Sequence, residues 1–415
     1  MPAASPAVKT PPGPAGTAPP PGAPLDSLLA PWLRGRRRSL LRRLVNAGTR
    51  PGVLSLAGGL PAVELFPAEA YGRILKDLLE SPGSVQYGGR CGELRERVVE
   101  LARRRGVSCA TDRVLVTTGA QQALDVLVRS FVAPRDAVAL ERFTYTGFRE
   151  ALAPLSPRLV TLPSSLGGGL DVEALERRLR LGARPKLLYV IPDGHNPLGV
   201  SLPLESRRRL VALAHEYDFV IVEDDPYGLL CCDGEFDPPL AALDAERVLY
   251  VGSLSKILAP ALRLGWARVP ARLAEALAAV KEMGDLECSR LTMLAAARLL
   301  GELDFDRRLR DLRSVYRERR DAMLEALAER LPGGCSFSRP GGGMFVWVEL
   351  PPGVDGEGLL ERALGEFGVV FVPAAAFADA RDRAAPANGA RLSFSGAGPA
   401  ALREAVARFA AALDG

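Results

Sequence analysis

Residues 248–266 read Val248-Leu-Tyr-Val-Gly-Ser253-Leu-Ser255-Lys256-Ile-Leu-Ala-Pro-Ala-Leu-Arg263-Leu-Gly265-Trp266. An apolar strand, Val248 to Val251, ends in two hydroxyls and a primary amine. The chain has 53 Lys and Arg residues, and only five of them are lysine. Lysine is required where the chemistry is imine formation. A guanidinium stays charged, whereas a buried ammonium can lose its proton and attack an aldehyde. Ser253, Ser255 and Arg263 around that amine suit a bound phosphate. Taken alone, the segment is also compatible with a surface lysine in a serine-containing loop.

Outward from this stretch, short apolar runs alternate with helical segments. The runs are Val114–Val116, Ala137–Leu140, Leu187–Ile191, Phe219–Val222 and Val248–Val251, with helices expected over Asp171–Leu181 and Pro203–Tyr217. Near-continuous apolar strands of this kind belong in a parallel sheet covered on both faces, an α/β architecture. A long charged helix, about Phe305 to Leu331, then leads to strands at Gly343–Leu350, Val369–Val372 and Arg391–Phe394. This change of pattern predicts a smaller α+β domain. The expected organisation is a disordered Pro/Ala-rich tail over 1–24, an N-terminal segment of the small domain over 25–61, a large domain over 62–302 and a small C-terminal domain over 303–415.

Composition narrows the function. At 415 residues the chain exceeds one ordinary core, and a net charge of +4 marks neither a nucleic-acid binder nor an acidic-substrate funnel. The six cysteines lack ligand-like spacing and only His195 and His215 are present, so a zinc site or a histidine-based hydrolase is not expected. No signal peptide and no long apolar span is evident, which predicts a cytoplasmic protein without a membrane partner. The basic run Arg34-Gly35-Arg36-Arg37-Arg38 precedes Leu40, Leu41, Leu44 and Val45 at helical spacing. It reads as an amphipathic helix with a solvated basic face, with an anionic partner as the competing reading. P-loop, GxGxxG, GxSxG and HExxH patterns are missing in the required contexts.

In an open parallel sheet, ligands bind beyond the carboxyl ends of the strands, and the polar residues gather there. Thr117-Thr118-Gly119-Ala120-Gln121-Gln122 runs from strand into helix and offers free N–H groups to an anion. Glu223-Asp224-Asp225-Pro226-Tyr227 places adjacent carboxylates after an apolar strand, which calls for a cation, a metal or a protonated ring; a solvated turn and a magnesium site both remain open. Asp193-Gly194-His195-Asn196-Pro197-Leu198-Gly199 forms a turn-rich loop with Asn196 as a hydrogen-bond donor, His195 reading as a loop residue. Arg391 opens a strand and suits a carboxylate.

The ordered set resembles the fold-type I pyridoxal-phosphate enzymes, specifically class I/II aminotransferases of the 2-aminoadipate and kynurenine aminotransferase type and the aminotransferase-like halves of MocR regulators. Leu56-Ala57-Gly58-Gly59-Leu60-Pro61, Phe66-Pro67 and Gln86-Tyr87-Gly88 carry the same likeness, which spans about residues 30–415. It implies a mostly parallel sheet with helices on both faces and pyridoxal 5'-phosphate as cofactor. Lys256 would hold the cofactor as an internal Schiff base and shuttle protons at the substrate Cα. Asp224 would pair with the pyridine nitrogen, and Tyr227 and Asn196 with the ring's phenolic oxygen. Ala120 and Gln121 would bind the phosphate through backbone amides, with Ser253, Ser255 and Arg263 completing its cradle. Tyr145 would stack on the ring, Arg391 would clamp the substrate carboxylate and Gly59 would line the substrate pocket. Tyr87 would reach the neighbouring subunit's phosphate, which implies a homodimer.

Some residues depart from the family pattern. Leu198 stands where the family loop usually has Thr, Asp193-Gly194-His195 replaces a more apolar stretch, and the interval after Tyr87-Gly88 is about two residues short. Asn-Pro-Leu-Gly resembles the loop of 1-aminocyclopropane-carboxylate synthases. The resemblance implies transamination between an amino acid and a 2-oxo acid, and these departures motivate one alternative. The alternative is β- or γ-elimination, replacement or C–C bond formation on the same fold, with S-adenosylmethionine as one substrate. A non-catalytic effector-sensing module is a further reading, against which the tail of 1–24 leaves no room for a DNA-binding winged helix.

Overall fold

A computed structural model describes residues 25–34, 40–379, 381–382, 385–386 and 388–414. The tail expected over 1–24 and most of the basic run (Gly35 to Arg38) lie outside the described residues. The described residues fall into two compact units, one holding 25–34 and the other beginning at 40. In the first, short 3₁₀ turns at Leu25–Leu28 and Pro31–Leu33 are closed by Arg34, whose Nε donates to the Leu29 carbonyl at 2.9 Å.

The second unit is built on a seven-stranded sheet. Its strands are β1 (Val114–Thr117), β2 (Ala137–Glu141), β3 (Arg158–Leu162), β4 (Pro185–Val190), β5 (Val220–Asp224), β6 (Val248–Ser253) and β7 (Gly265–Arg268). They lie in the order β1-β7-β6-β5-β4-β2-β3, and β7 alone runs antiparallel to its neighbours. Both faces are covered. Leu187 and Tyr189 of β4 join one apolar core, while Leu188 and Val190 join another on the opposite side.

The five expected strands and the helices Val172–Arg180, Leu204–Glu216 and Phe305–Arg330 form with small boundary shifts. Two sheet members were not expected, β3 and β7. β3 is an edge strand that opens on an exposed Arg158, and β7 lies inside the Arg263-Leu-Gly-Trp stretch. Register explains what β7 does. Gly265 pairs with Thr117 on one side and with Ser253 on the other. Two motifs more than a hundred residues apart are thereby brought to one end of the sheet. Asp224 pairs with Val251 on the next strand, close by.

The smaller sheet contains β8 (Ser336–Phe337), β9 (Phe345–Glu349), β10 (Val372–Pro373) and β11 (Gly389–Ser393), antiparallel in the order β8-β9-β11-β10. The run expected as one strand over Val369–Val372 divides. Val369–Val370 pairs in parallel with Leu54–Ser55, and Val372 turns to pair with Arg391. Ser393 N donates to the Leu56 carbonyl at 2.8 Å, which draws Ala57 to Gly59 alongside Arg391.

Candidate active site

One cavity of about 270 Å³ collects nearly every residue singled out from the sequence. Gly59, Ala120, Gln121, Tyr145, Asn196, Asp224, Tyr227, Ser253, Ser255, Lys256, Arg263 and Arg391 all line it. Tyr87 does not: it is 78% exposed, away from its own chain's cavity.

At one end, Gly119 has φ +78° and caps the helix Ala120–Phe131. The first N–H groups of a helix have no intrahelical acceptor, so Ala120 and Gln121 present theirs to the cavity. Backbone alone could not approach so closely with side chains in the way. A Cβ on Gly265 would lie 2.4 Å from Ala120 N and 2.6 Å from Gly119 C. Ser253, Ser255 and the Arg263 guanidinium close the other sides, Ser253 Oγ accepting from Ser255 N at 3.1 Å. This is a concave donor set with cationic character, fitted to a phosphate.

Asp224 stands at the carboxyl end of β5. Its Oδ2 accepts from Tyr189 OH at 2.7 Å, and its Oδ1 is buried with no partner in the protein. Burial lifts its pKa to about 7, only partly opposed by the Tyr189 hydrogen bond. A buried carboxylate oxygen aimed at open space is the signature of an absent cationic or N–H partner. A protonated pyridine nitrogen supplies one.

Lys256 Nζ donates to the Gly59 carbonyl at 2.8 Å. Burial, then the nearby Arg391 and Arg263 charges, push its pKa down to about 8, while Asp224 pulls the other way. An amine in this range is a competent nucleophile near neutral pH. Burial likewise raises the Tyr227 phenol well above its usual range and Tyr145 to about 12, so both are O–H donors.

Arg391 is 1% exposed on β11. Its Nη1 donates to Asn196 Oδ1 at 2.8 Å and its Nη2 to the Ala57 carbonyl. The guanidinium lies 4.2 Å from the Phe345 ring centroid. Burial pushes its pKa down to about 10, which leaves it cationic at neutral pH. A guanidinium only donates, so it fixes the Asn196 amide with oxygen toward itself and NH₂ toward the cavity.

The departures from the family pattern face elsewhere. Asp193, His195 and Leu198 are buried but do not line the cavity. Asp193 is bound by Arg207 and Arg105, and His195 Nε2 lies 2.8 Å from Glu141 Oε2. His195 Nδ1 accepts from Leu198 N at 3.3 Å, so the hydrogen sits on Nε2, which is close to Glu141 without a hydrogen bond to it. The observation that motivated an elimination chemistry is therefore removed from the reacting region. The magnesium reading also fails. Glu223 accepts from Leu240 N and Ala241 N, both at 2.7 Å, and Asp225 faces Arg105. No cluster of three or more metal-ligating side chains occurs among the described residues.

Several lining residues were not foreseen: Leu41, Val45, Leu60, Ile191 and Phe345, with Tyr189 behind Asp224. Leu41 and Val45 had been read as the apolar face of an amphipathic helix. That face covers the cavity, while Arg42 and Arg43 of the same helix are exposed.

Residues 58–409 match the family model for aminotransferase class I and II. Aromatic-amino-acid aminotransferase 1 of Thermococcus litoralis is 38% identical over 386 residues, 91% of each chain. The solved kynurenine aminotransferase of Pyrococcus horikoshii, in complex with PMP, superposes with a TM-score of 0.87 at 35% identity, covering 94% of this chain and 97% of that one. The α-aminoadipate aminotransferase of Thermus thermophilus, complexed with N-(5'-phosphopyridoxyl)-L-leucine, gives 0.86 at 36% identity, covering 94% and 98%. The chain belongs to the class I and II aminotransferases, is a pyridoxal-phosphate-dependent enzyme and acts on amino acids.

Proposed function

We propose that this class I and II aminotransferase takes amino acids with large apolar side chains as donors and a 2-oxo acid as acceptor. The cavity roof carries this reading. Leu41, Val45 and Leu60 line the same cavity as Arg391. Among the described residues, the cations of the lining are Lys256, Arg263 and Arg391. Arg391 is assigned to the α-carboxylate, Arg263 to the phosphate and Lys256 to the cofactor. None of these remains for a second carboxylate, and a carboxylate against the leucines would lose its hydration without compensation.

The residues divide the work as follows. Ala120 and Gln121 N–H, Ser253, Ser255 and Arg263 hold the phosphate. Asp224 Oδ1 would face the ring nitrogen, and Asn196 Nδ2 with Tyr227 OH would donate to the ring oxygen. Tyr145 covers one face of the ring. Bound pyridoxal phosphate supplies the electron sink that makes a substrate Cα proton acidic. Lys256 Nζ is the covalent anchor and afterwards the base at Cα. Its pKa of about 8 leaves roughly a tenth of the amine neutral at pH 7, enough to accept a proton and return it. Arg391 fixes the carboxylate by two parallel hydrogen bonds and so sets which Cα bond faces Lys256. Gly59 keeps the pocket floor free of a side chain; a Cβ there would strike the Phe345 ring at 2.4 Å.

The working unit in this reading is a homodimer. Tyr87 is exposed, and Glu287 accepts from Gly88 N and Gly89 N, holding that turn outward. It would complete the phosphate site of a second copy. Mixing Lys256→Ala with Tyr87→Phe chains then restores part of the activity that each lacks, because one hybrid site is native. We take residues 62–302 as the large domain, with 25–61 and 303–415 as the small one. The six cysteines are all unpaired, and we assign the protein to the cytoplasm.

The direct test is conversion of the cofactor from aldehyde to amine form by single donors without acceptor. Phenylalanine and leucine should convert it faster than glutamate or 2-aminoadipate at equal concentration. Equal or reversed rates would reject the apolar assignment. Lys256→Ala should lose the borohydride-reducible linkage and remain folded.

A further inference from the structure

Beneath the cavity lies a buried group of charges that the reaction does not use. Arg105 follows the helix Gly92–Arg104, and Gly106, at φ +77°, turns the chain there, with Val107 N donating to the Ala102 carbonyl at 3.0 Å. That turn aims the Arg105 side chain inward, where the residue is 8% exposed. Its Nη2 reaches Asp193 Oδ2 at 2.6 Å and its Nε reaches Asp225 Oδ2 at 3.0 Å.

The two carboxylates belong to different segments. Asp193 opens the loop that carries Asn196. Asp225 immediately follows Asp224 and precedes Tyr227. Successive residues of a strand end face opposite sides, so Asp224 looks into the cavity while Asp225 looks back at Arg105. We propose that Arg105 is a positioning residue for the aminotransferase reaction, its one guanidinium bolting the Asn196 loop to the strand end that presents Asp224 and Tyr227. The proposal rests on the reading in which those three side chains hold the cofactor ring.

Charge neutralisation accounts for the bond of Arg105 to Asp225 but not for its bond to Asp193. Asp193 is already served by Arg207, through Nη2 to Oδ1 at 2.6 Å and Nη1 to Oδ2 at 3.2 Å. The other bonds of Arg207 go to the carbonyls of Pro192, Leu202, Asp237 and Pro238, none of them in 224–230. Asp225 has a second donor in Tyr250 OH at 2.8 Å. Arg105 joins the two segments from behind, through one guanidinium, while the Tyr227–Asn196 hydrogen bond joins them at the cavity. The surroundings are shaped for it. A Cβ on Gly228 would lie 2.3 Å from Arg105 Nε and from both Asp225 oxygens. A buried ion pair of this kind adds little net stability, since desolvation offsets most of its attraction. Its fixed fork geometry, which lysine lacks, is what a bridge between two loops needs.

The test uses the holoenzyme and its apo form. Arg105→Lys keeps the charge and loses the fork. The double variant Arg105→Met with Asp225→Asn removes both charges and avoids leaving a buried carboxylate alone. Both should stay folded. Both should show faster amide exchange in 192–199 and in 224–230 together, and weaker cofactor binding by about tenfold, the usual scale for losing a partner behind a ligand-holding residue. The pH midpoint of the bound cofactor's absorption should also move, and kcat should fall more than KM rises. Wild-type exchange in both segments with wild-type cofactor affinity in the double variant would reduce Arg105 to a counter-charge and overturn the proposal. Asn196→Ala is the control for the underlying reading. If it leaves the absorption midpoint in place while Arg105→Lys loosens both segments, the bolt stands and the role given to Asn196 fails.

Discussion

Arg391 Nη1 donates to Asn196 Oδ1 across 2.8 Å, joining two residues 195 positions apart. The contact links the strand that would clamp the substrate carboxylate to the loop that would hold the cofactor's ring oxygen. One guanidinium therefore serves two tasks, orienting an amide and offering its remaining N–H groups to a carboxylate.

Arg391→Lys should lower kcat/KM by about 10–100-fold, the loss expected when a charged two-pronged hydrogen bond becomes a single one. The loss should be the same for every donor, because the α-carboxylate is common to all. Steady-state kinetics with phenylalanine, leucine and glutamate decide it. A loss confined to one donor would mean that Arg391 reads the side chain instead.

Asp224 carries a pH prediction with a definite sign. Its folded pKa of about 7 lies above the ordinary 3.8, because burial disfavours the carboxylate. Between about pH 4 and pH 7 the folded apoprotein holds a proton that the unfolded chain has released. Its stabilising contribution is full below about pH 4 and is lost as pH rises through about 7, a cost of up to about 4 kcal/mol. Asp224→Asn removes that cost. The apo variant should match wild type near pH 4 and exceed it at pH 8 in urea unfolding, while binding the cofactor more weakly. Parallel pH curves for the two proteins would refute the shifted carboxylate.

Much of the site was legible because each motif is local. A strand end, its turn and the polar residues on that turn are consecutive in sequence, as in 117–122, 223–227 and 253–256. What was not legible depends on distant pairing. β7 follows the lysine motif without a strand signal of its own, yet it is the strand that sets Gly265 between Thr117 and Ser253. Tyr189 looked like one more apolar residue of its run, and only the packing of β4 beside β5 puts its hydroxyl on Asp224. Asp193 and His195 read as threats to substrate choice, and only the fold reveals that Arg207 and Glu141 occupy them.

Gly265→Ala tests the phosphate end. The added Cβ meets only backbone: Ala120 N at 2.4 Å, Gly119 C at 2.6 Å and Gly252 O at 3.0 Å. Backbone cannot swing aside as a side chain can, so the helix start must move, at a cost of about 1–3 kcal/mol. Affinity for pyridoxal phosphate should fall at least about fivefold, the lower end of that cost expressed as binding. Affinity for unphosphorylated pyridoxal should hardly change. Equal losses for both ligands would place the damage at the ring.

Leu41→Arg tests the substrate end. Leu41 lies on the helix Leu40–Ala47 with Leu44 buried and Val45 beside it over the cavity. Removing that leucine costs an apolar donor its contact, about 1–3 kcal/mol on the scale of a hydrophobic pocket. The arginine at the same place gives a side-chain carboxylate a cation beyond the three that the described lining residues supply. The ratio of kcat/KM for phenylalanine over glutamate should therefore fall by on the order of 100-fold, mostly through KM, because the contact forms before any bond at Cα changes. Cofactor affinity should stay put, since Leu41 is not among the residues assigned to the ring or the phosphate. Equal losses for both donors would show that the helix supports the cavity without reading the substrate, and the apolar assignment would have to rest on Val45 and Leu60 alone.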